Sequence, residues 1–499
     1  MTFRPAVEII ARAARFGPRI ALRDVSGALT YNELIAGAQQ ASAKLRDGGS
    51  DLAGARVAVL VPPGRDFVTS LWGTWLAGGL AVPLCLTHPR AELDYVLKDS
   101  RASLLVADPQ FRELAGDLAA TRGIRLLTTG ELREARPDIG PAVEEERGAV
   151  LIYTSGTTGK PKGVVLSHGN LVAQMTCLVE VWGWVPDDLI LHVLPLHHVH
   201  GLINVLLCAL WSGATCEMMP RFDARPVWHR FLQGGLTLFM AVPLVYRRLI
   251  NVWEESDAAA RAEMTRACGK LRLMISGSAA LPEPTFRRWE EISGHRLLER
   301  YGMSEIGMAL SNPLRGERRP GTVGRPLPGV AIRLVDESGQ VLVPGQVGEI
   351  EVRGRGVFAA YWLRPDETAA AFHDGWFRTG DIAVVDGGVY RILGRNSVDI
   401  IKTGAYKVSA LEIEQELLSH PAIEECAVVG VPDEEWGERV CAAVKWRSGH
   451  QLSLEQLRTW CKERLAVYKI PHSLQPVVEL PRNAMGKVTK KAVQQMFST

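Results

Sequence analysis

Short apolar, β-branched runs alternate with stretches of helical period through the first part of the chain. The runs RVAVLVPP (56–63), ASLLVADP (102–109), GAVLIYTSG (148–156), LTLFMAVP (236–243) and LRLMISGS (271–278) predict strands. Between them, segments 65–76 and 282–292 carry apolar residues at helical spacing. This alternation predicts an α/β fold in which mainly parallel sheets are covered by helices. From about residue 320 the texture changes, and glycine and proline punctuate short strands such as those in PGTVGRPLPGVAIRLVD and GQVGEIEVRG. Closely spaced strands of this kind predict a small antiparallel or barrel-like β subdomain over about 320–394.

A third pattern begins at Arg395: helix-like VSALEIEQELLSH, strand-like CAVVGVP and RVCAAVKW, then helix-like SLEQLRTWCKERL. It predicts a compact α+β domain over 395–499 that ends in the basic run PRNAMGKVTKK, where Lys490 and Lys491 read as a solvated tail. No proline- or serine-rich linker separates it from 1–394, so the boundary at 394–400 reads as a tight hinge. Neither an internal repeat nor a low-complexity segment interrupts the pattern.

The length, 499 residues, calls for more than one hydrophobic core. The net charge of +2 gives no general electrostatic reason to expect nucleic acid or an anionic membrane as partner, so any anion site must be local. Eight scattered cysteines without a CxxC pair indicate neither a disulfide framework nor a zinc site, and a reducing compartment fits them. The expected location is therefore cytoplasmic, or the mitochondrial matrix if the source is eukaryotic and the precursor longer. Glycines such as Gly78 and Gly79 break the longest apolar candidate for a membrane span. Arg4, Arg12, Arg15 and Arg19 give the N-terminus a presequence-like look, but Glu8 intrudes, and the stretch reads as the first helix of the fold.

The densest chemical signal is YTSGTTGKPKG at 153–163. Its glycines let backbone N–H groups turn toward an anion, its hydroxyls add donors, and Lys160 and Lys162 supply positive charge for a polyphosphate. The spacing is not that of a Walker A loop. A plain surface loop is the alternative reading, and the concentration of four hydroxyl residues, three glycines and two lysines disfavours it.

Five further motifs follow in order: HHVHG (197–201), ERYGMSE (299–305), WFRTGD (376–381), GRNSVDIIKTGAYKVSALEIE (394–414) and PRNAMGKVTKK (481–491). With the glycine-rich run they resemble the adenylate-forming superfamily of acyl-CoA synthetases, luciferases and peptide-synthetase adenylation domains. The resemblance covers nearly the whole chain and implies a mobile C-terminal lid. It also implies Mg²⁺ as cofactor, ATP and CoA as co-substrates, and a monomer or homodimer as the working form.

By the same resemblance, Thr154, Ser155, Gly156, Thr157, Thr158, Gly159 and Lys160 cradle the phosphates. Gly277, Ser278 and Ala279, together with Glu299, Tyr301 and Gly302, lie about the adenine, with Tyr301 as the stacking ring. Ser304, where relatives more often carry threonine, meets the α-phosphate, and Glu305 is the metal ligand. Asp381 and Arg395 hold the ribose, Lys487 is the adenylation lysine, and His200 gates the passage between acyl and thiol pockets. Ser397 and Asp399 form the pivot; Gly404 and Ala405 line the CoA tunnel, where many relatives have two glycines. His197 and His198 beside His200 lack an apparent fourth ligand for zinc.

Arg300 restricts the acid. A lone buried guanidinium is costly in an apolar acyl tunnel and becomes favourable when the substrate brings a second carboxylate. An ion pair with Glu299 or Glu305 is the bland alternative. The context of Arg300 is especially similar to malonyl-CoA synthetases, which implies malonate, with methylmalonate as a further candidate. A synthetase for monocarboxylic or aryl acids and an enzyme loading a carrier protein are the other readings, although no carrier domain follows Lys491.

Overall fold

Strands Leu273–Ser276 and Leu238–Ala241 are buried along their full length, as strands covered on both faces must be. They sit in the middle of a nine-stranded sheet in a computed structural model that describes residues 7–154, 160–396, 398–403, 406–434, 436–483 and 486–497. In order, the strands are Arg325–Pro326, Gly307–Ser311, Leu298–Met303, Leu273–Ser276, Leu238–Ala241, Leu189–His192, Thr215–Met218, Ile20–Asp24 and Gly27–Thr30. Those from Leu298–Met303 to Ile20–Asp24 run parallel, and antiparallel strands close both edges.

A seven-stranded sheet repeats the plan. Its parallel part runs from Gly148–Thr154 through Leu80–Pro83, Arg56–Leu60 and Leu104–Ala107 to Arg125–Thr128. Lys162–Ser167 turns back antiparallel on Gly148–Thr154, so the glycine-rich run between them connects two hydrogen-bonded neighbours. All five expected strands therefore form, each a little shorter than its apolar run. The expected helices appear as Arg65–Leu76 and Glu283–Ser293. The arginine-bearing N-terminal stretch contains the helix Glu8–Ala13, with Ile9, Ile10 and Ala13 buried.

The glycine-punctuated region forms an antiparallel sheet of Val330–Val335, Val347–Gly354, Trp376–Asp386, Phe372–His373 and Val389–Arg395. It is less self-contained than its sequence suggests. Arg325–Pro326 pairs with the edge of the nine-stranded sheet, and Ala360–Tyr361 pairs with the edge of the seven-stranded one. These two-residue strands cover exposed sheet edges and bring Tyr361 and Asp381 toward the ends of the parallel strands.

Residues 400–497 build a separate sheet of Tyr406–Ser409, Ile400–Thr403, Gly437–Trp446, Ile423–Asp433 and Ser473–Pro476. Helices Ala410–Leu418 and Leu454–Lys462 pack on it around Ile401, Ile413, Val428, Val440 and Leu457. One expectation fails here. Lys490 is no solvated tail: its ammonium is ion-paired with Glu414, lies 3.4 Å from Asp399 Oδ1 and donates to the carbonyl of Val428 at 2.6 Å. The terminal helix Lys490–Gln495 docks Val493 onto the sheet, which carries the lysine inward to two carboxylates.

Candidate active site

Parallel pairing of Leu273–Ser276 with Leu298–Met303 sets Ser276 opposite Glu299, so Gly277 and Ser278 emerge alongside Arg300. A Cβ on Gly277 would stand 2.5 Å from Arg300 Cζ; only glycine lets the guanidinium lie against this strand end. Ser278 has a positive φ of 69°, a conformation costly for a residue with a side chain. It sets Ser278 Oγ between two groups: Arg300 Nη2 donates to it at 3.4 Å, and His200 Nδ1 lies 3.2 Å away.

Arg300 is only 4% exposed, and its Nε has no hydrogen-bond partner. Burial pulls its pKa down to about 9, still above neutrality, so the group is a buried cation. The ion pair with Glu299 or Glu305 weighed from sequence does not form among the described residues. Glu299 accepts from the backbone N–H of Gly321 at 3.3 Å, and burial pushes its pKa up to about 8. Glu305 accepts instead from the Tyr361 hydroxyl at 3.0 Å. His200 is buried at the start of the π-helix His200–Leu207, an irregular winding that recurs at functional sites. Burial first, and then the Arg300 charge, hold its pKa well below 6.5. The imidazole is neutral, and its Nε2 has no partner.

Successive residues of a strand face opposite ways, so Tyr301 leaves Arg300 behind and meets Asp381. The Tyr301 hydroxyl donates to Asp381 Oδ2 at 2.6 Å, while Arg395 Nε donates to Asp381 Oδ1 at 3.1 Å. Asp381 and Arg395 are register partners in adjacent antiparallel strands, which fixes their pairing before any ligand arrives. Burial, then the neighbouring Asp381 charge, keeps the Tyr301 hydroxyl protonated. Beyond a bulge at Tyr301/Gly302 the chain turns through the half-buried Ser304 to Glu305. Burial raises the Glu305 carboxyl above the ordinary range, with Tyr361 and Arg395 opposing it.

Thr154 ends its strand, and Ala279 is exposed just beyond Ser278. Ser155, Gly156, Thr157, Thr158 and Gly159 lie outside the described residues, as do Ser397, Gly404 and Ala405. Lys160 Nζ sits 5.5 Å from the centre of the Tyr95 ring. Asp399 Oδ2 accepts from the Arg395 backbone N–H at 3.1 Å. The side chain of Lys487 is exposed, in a turn closed by Asn483 N–H to the Lys487 carbonyl at 2.9 Å and by Lys487 N–H to Asn483 Oδ1 at 3.0 Å.

The motifs thus resolve into an Arg300–Ser278–His200 group and a Tyr301–Asp381–Arg395 group on opposite faces of one strand, with Glu305 at its end. Tyr361, the donor to Glu305, and Thr379, whose hydroxyl accepts from the Asp381 N–H at 3.1 Å, were not expected. Tyr361 stands 56 positions from its partner, and no local pattern marks it.

Two family descriptions match the chain: AMP-binding enzyme over residues 10–362, and AMP-binding enzyme C-terminal domain over 412–487. The mitochondrial malonate–CoA ligase of Homo sapiens is 47% identical, over 98% of this chain and 92% of that protein. A malonate–CoA ligase of Arabidopsis thaliana is 43% identical, over 90% of this chain and 79% of its own length. Among solved structures, ATP-bound MatB from Rhodopseudomonas palustris superposes with a TM-score of 0.91 at 34% identity, covering 98% of this chain and 99% of that one.

Proposed function

The chain belongs to the family of AMP-binding enzymes, and from that premise we propose that it is an ATP-dependent malonate–CoA ligase. It converts malonate, ATP and CoA to malonyl-CoA, AMP and diphosphate through a malonyl-adenylate. Methylmalonate is a further substrate, since one added methyl leaves both carboxylates in place. The buried, uncompensated guanidinium of Arg300 carries this reading: a second carboxylate supplies the missing counter-charge, and the first is then aimed at the nucleotide. Ser278 and the neutral His200 complete the acid pocket.

In the first half-reaction a carboxylate oxygen of malonate attacks the α-phosphorus, and diphosphate leaves. Asp381, pre-set by Tyr301 and Arg395, accepts the ribose hydroxyls, while the 154–160 run and Lys160 take the departing phosphates. Ser304 meets the α-phosphate, and Gly277, Ala279, Glu299 and Gly302 shape the adenine cleft. Lys487 sits between carboxylate and phosphate as negative charge accumulates there.

Mg²⁺ fits the site at Glu305, whose burial disfavours its ionised form until a cation stands beside it. One carboxylate with phosphate oxygens and water is a donor set this ion favours. When bound, it offsets phosphate charge. In the second half-reaction the CoA sulfur attacks the acyl carbon and AMP leaves. His200 gates that approach, and Gly404 and Ala405 line it. We divide the chain at 394/395 with the pivot at Ser397–Asp399; separate apolar clusters on either side support the division. The substrates are small molecules, with no role for nucleic acid, and among the described residues no helix is long and apolar enough to cross a membrane.

The test is CoA-dependent AMP release from malonate, methylmalonate, acetate, octanoate and benzoate. Malonate should lead, and a preference for any monocarboxylate overturns the reading.

A further inference from the structure

One ion pair joins residues 7–394 to residues 400–497 among the described residues, and it leads directly to the lysine loop. Helix Pro243–Glu255 follows strand Leu238–Ala241 and presents Leu244 and Arg247, three residues apart and so on one face. Arg247 Nη2 donates to Glu425 Oε1 at 2.5 Å. The other oxygen of Glu425 is ion-paired with Arg482. Arg482 in turn donates through Nη1 to the carbonyl of Gly486 at 2.7 Å, the residue before Lys487.

Three observations indicate a built arrangement. The side chain of Glu425 is 8% exposed although it sits at the junction. It stands at a register shift between Ile423 and Glu425, and bulges of this kind re-aim a side chain. Gly486 also rests on the same helix face, since a Cβ there would lie 3.0 Å from Leu244 Cδ2. Burial alone would raise the pKa of Glu425, but Arg247, Arg482 and Lys445, the last at 3.8 Å, hold it below the usual range.

We propose that Glu425 is a positioning residue for adenylation, holding the Lys487 loop on helix Pro243–Glu255 by pairing Arg247 on one side and Arg482 on the other. It acts through Arg482 and the Gly486 carbonyl and touches no substrate. The proposal rests on the reading of Lys487 as the adenylation lysine. Because Arg247 belongs to the nucleotide-binding body and Glu425 to the lid, the pairing stabilises this orientation of the lid. It favours diphosphate-forming chemistry over thioester formation.

The test separates the half-reactions in the full-length protein. Arg247→Ala should slow malonate-dependent diphosphate release by roughly tenfold to a hundredfold, the scale of a small misplacement of a reacting group. The Kd for ATP should stay unchanged, and the rate at which supplied malonyl-adenylate and CoA give thioester should hold or rise, since loss of the pair releases the lid from this orientation. Arg247→Lys should recover part of the loss, and added salt should slow the parent's adenylation more than that of Arg247→Ala. Equal slowing of both half-reactions, or no slowing of either while Lys487→Ala is inactive, overturns the proposal alone. Full adenylation by Lys487→Ala overturns the underlying reading with it.

Discussion

Replacing Arg300 with Met removes the charge from the proposed acid pocket and keeps a long side chain of similar volume. Arg300 is buried without an acidic partner among the described residues, and the fall of its pKa from the ordinary guanidinium range to about 9 means that several kcal/mol are held against the charged form. That strain is fully present at neutral pH. Above about 9, and up to the ordinary guanidinium value, the unfolded chain binds the extra proton, so the destabilisation is relieved only as pH rises through that window. The ligand-free variant should therefore be as stable as the parent or more stable, by up to about 4 kcal/mol, as when buried ionic groups give way to apolar ones. Malonate should thermally stabilise the parent and leave the variant unmoved. A charge pair broken on one side typically costs about 3 kcal/mol or more, which predicts at least a hundredfold loss in kcat/KM for malonate. Propionate, which lacks the second carboxylate, should lose nothing. Thermal unfolding with and without malonate, and CoA-dependent AMP release on both acids, measure these effects. Malonate turnover within tenfold of the parent, or a ligand-free variant that melts well below it, would refute the reasoning.

Asp381→Asn removes the charge that Arg395 and Tyr301 share and should weaken ATP binding by about 2 kcal/mol, roughly thirtyfold in KM for ATP, with little change for malonate. Tyr361→Phe deletes the hydrogen bond that orients Glu305 and should raise the Mg²⁺ concentration needed for half-maximal activity by about threefold to tenfold, read from a metal titration at fixed ATP. Glu299 has a folded pKa of about 8, raised by burial from 4.5, so the native state binds the extra proton between those values and stability falls as pH rises through them. Glu299→Gln should flatten that part of the profile in urea unfolding at pH 5 and pH 8, and an unchanged slope would remove Glu299 as its source.

The buried strands were legible because a run such as LRLMISGS needs no partner to announce that it is apolar throughout. The short pairings Arg325–Pro326 and Ala360–Tyr361 were not, since two residues carry no period and their partners lie in other sheets. Within the site, motifs marked Tyr301, Asp381 and Arg395 individually. What a motif lacks is the face each residue occupies: strand alternation separates Arg300 from Tyr301, and the fate of Arg300 depended on whether Glu299 and Glu305 were already engaged. Lys490 shows the limit most plainly. A lysine near the end of a basic run looks like a solvated group, yet Glu414 and Asp399, 76 and 91 positions earlier, draw it inward. The Arg247–Glu425 pair is equally silent in sequence, because it joins two bodies whose contact no local pattern records.

Gly277 has a consequence for how this pocket changes over generations. The three atoms nearest to a methyl group there all belong to the guanidinium group of Arg300. A side chain gained at 277 would therefore collide first with the charge. Shortening residue 300 first makes the same step harmless, so a lineage drifting toward monocarboxylic acids can pass through position 300 and then fill 277. Once filled, 277 leaves no room for an arginine to return. The bare strand end sets the order of events: if Arg300 binds a second carboxylate, recovering that recognition requires glycine to return at 277 before arginine can return at 300.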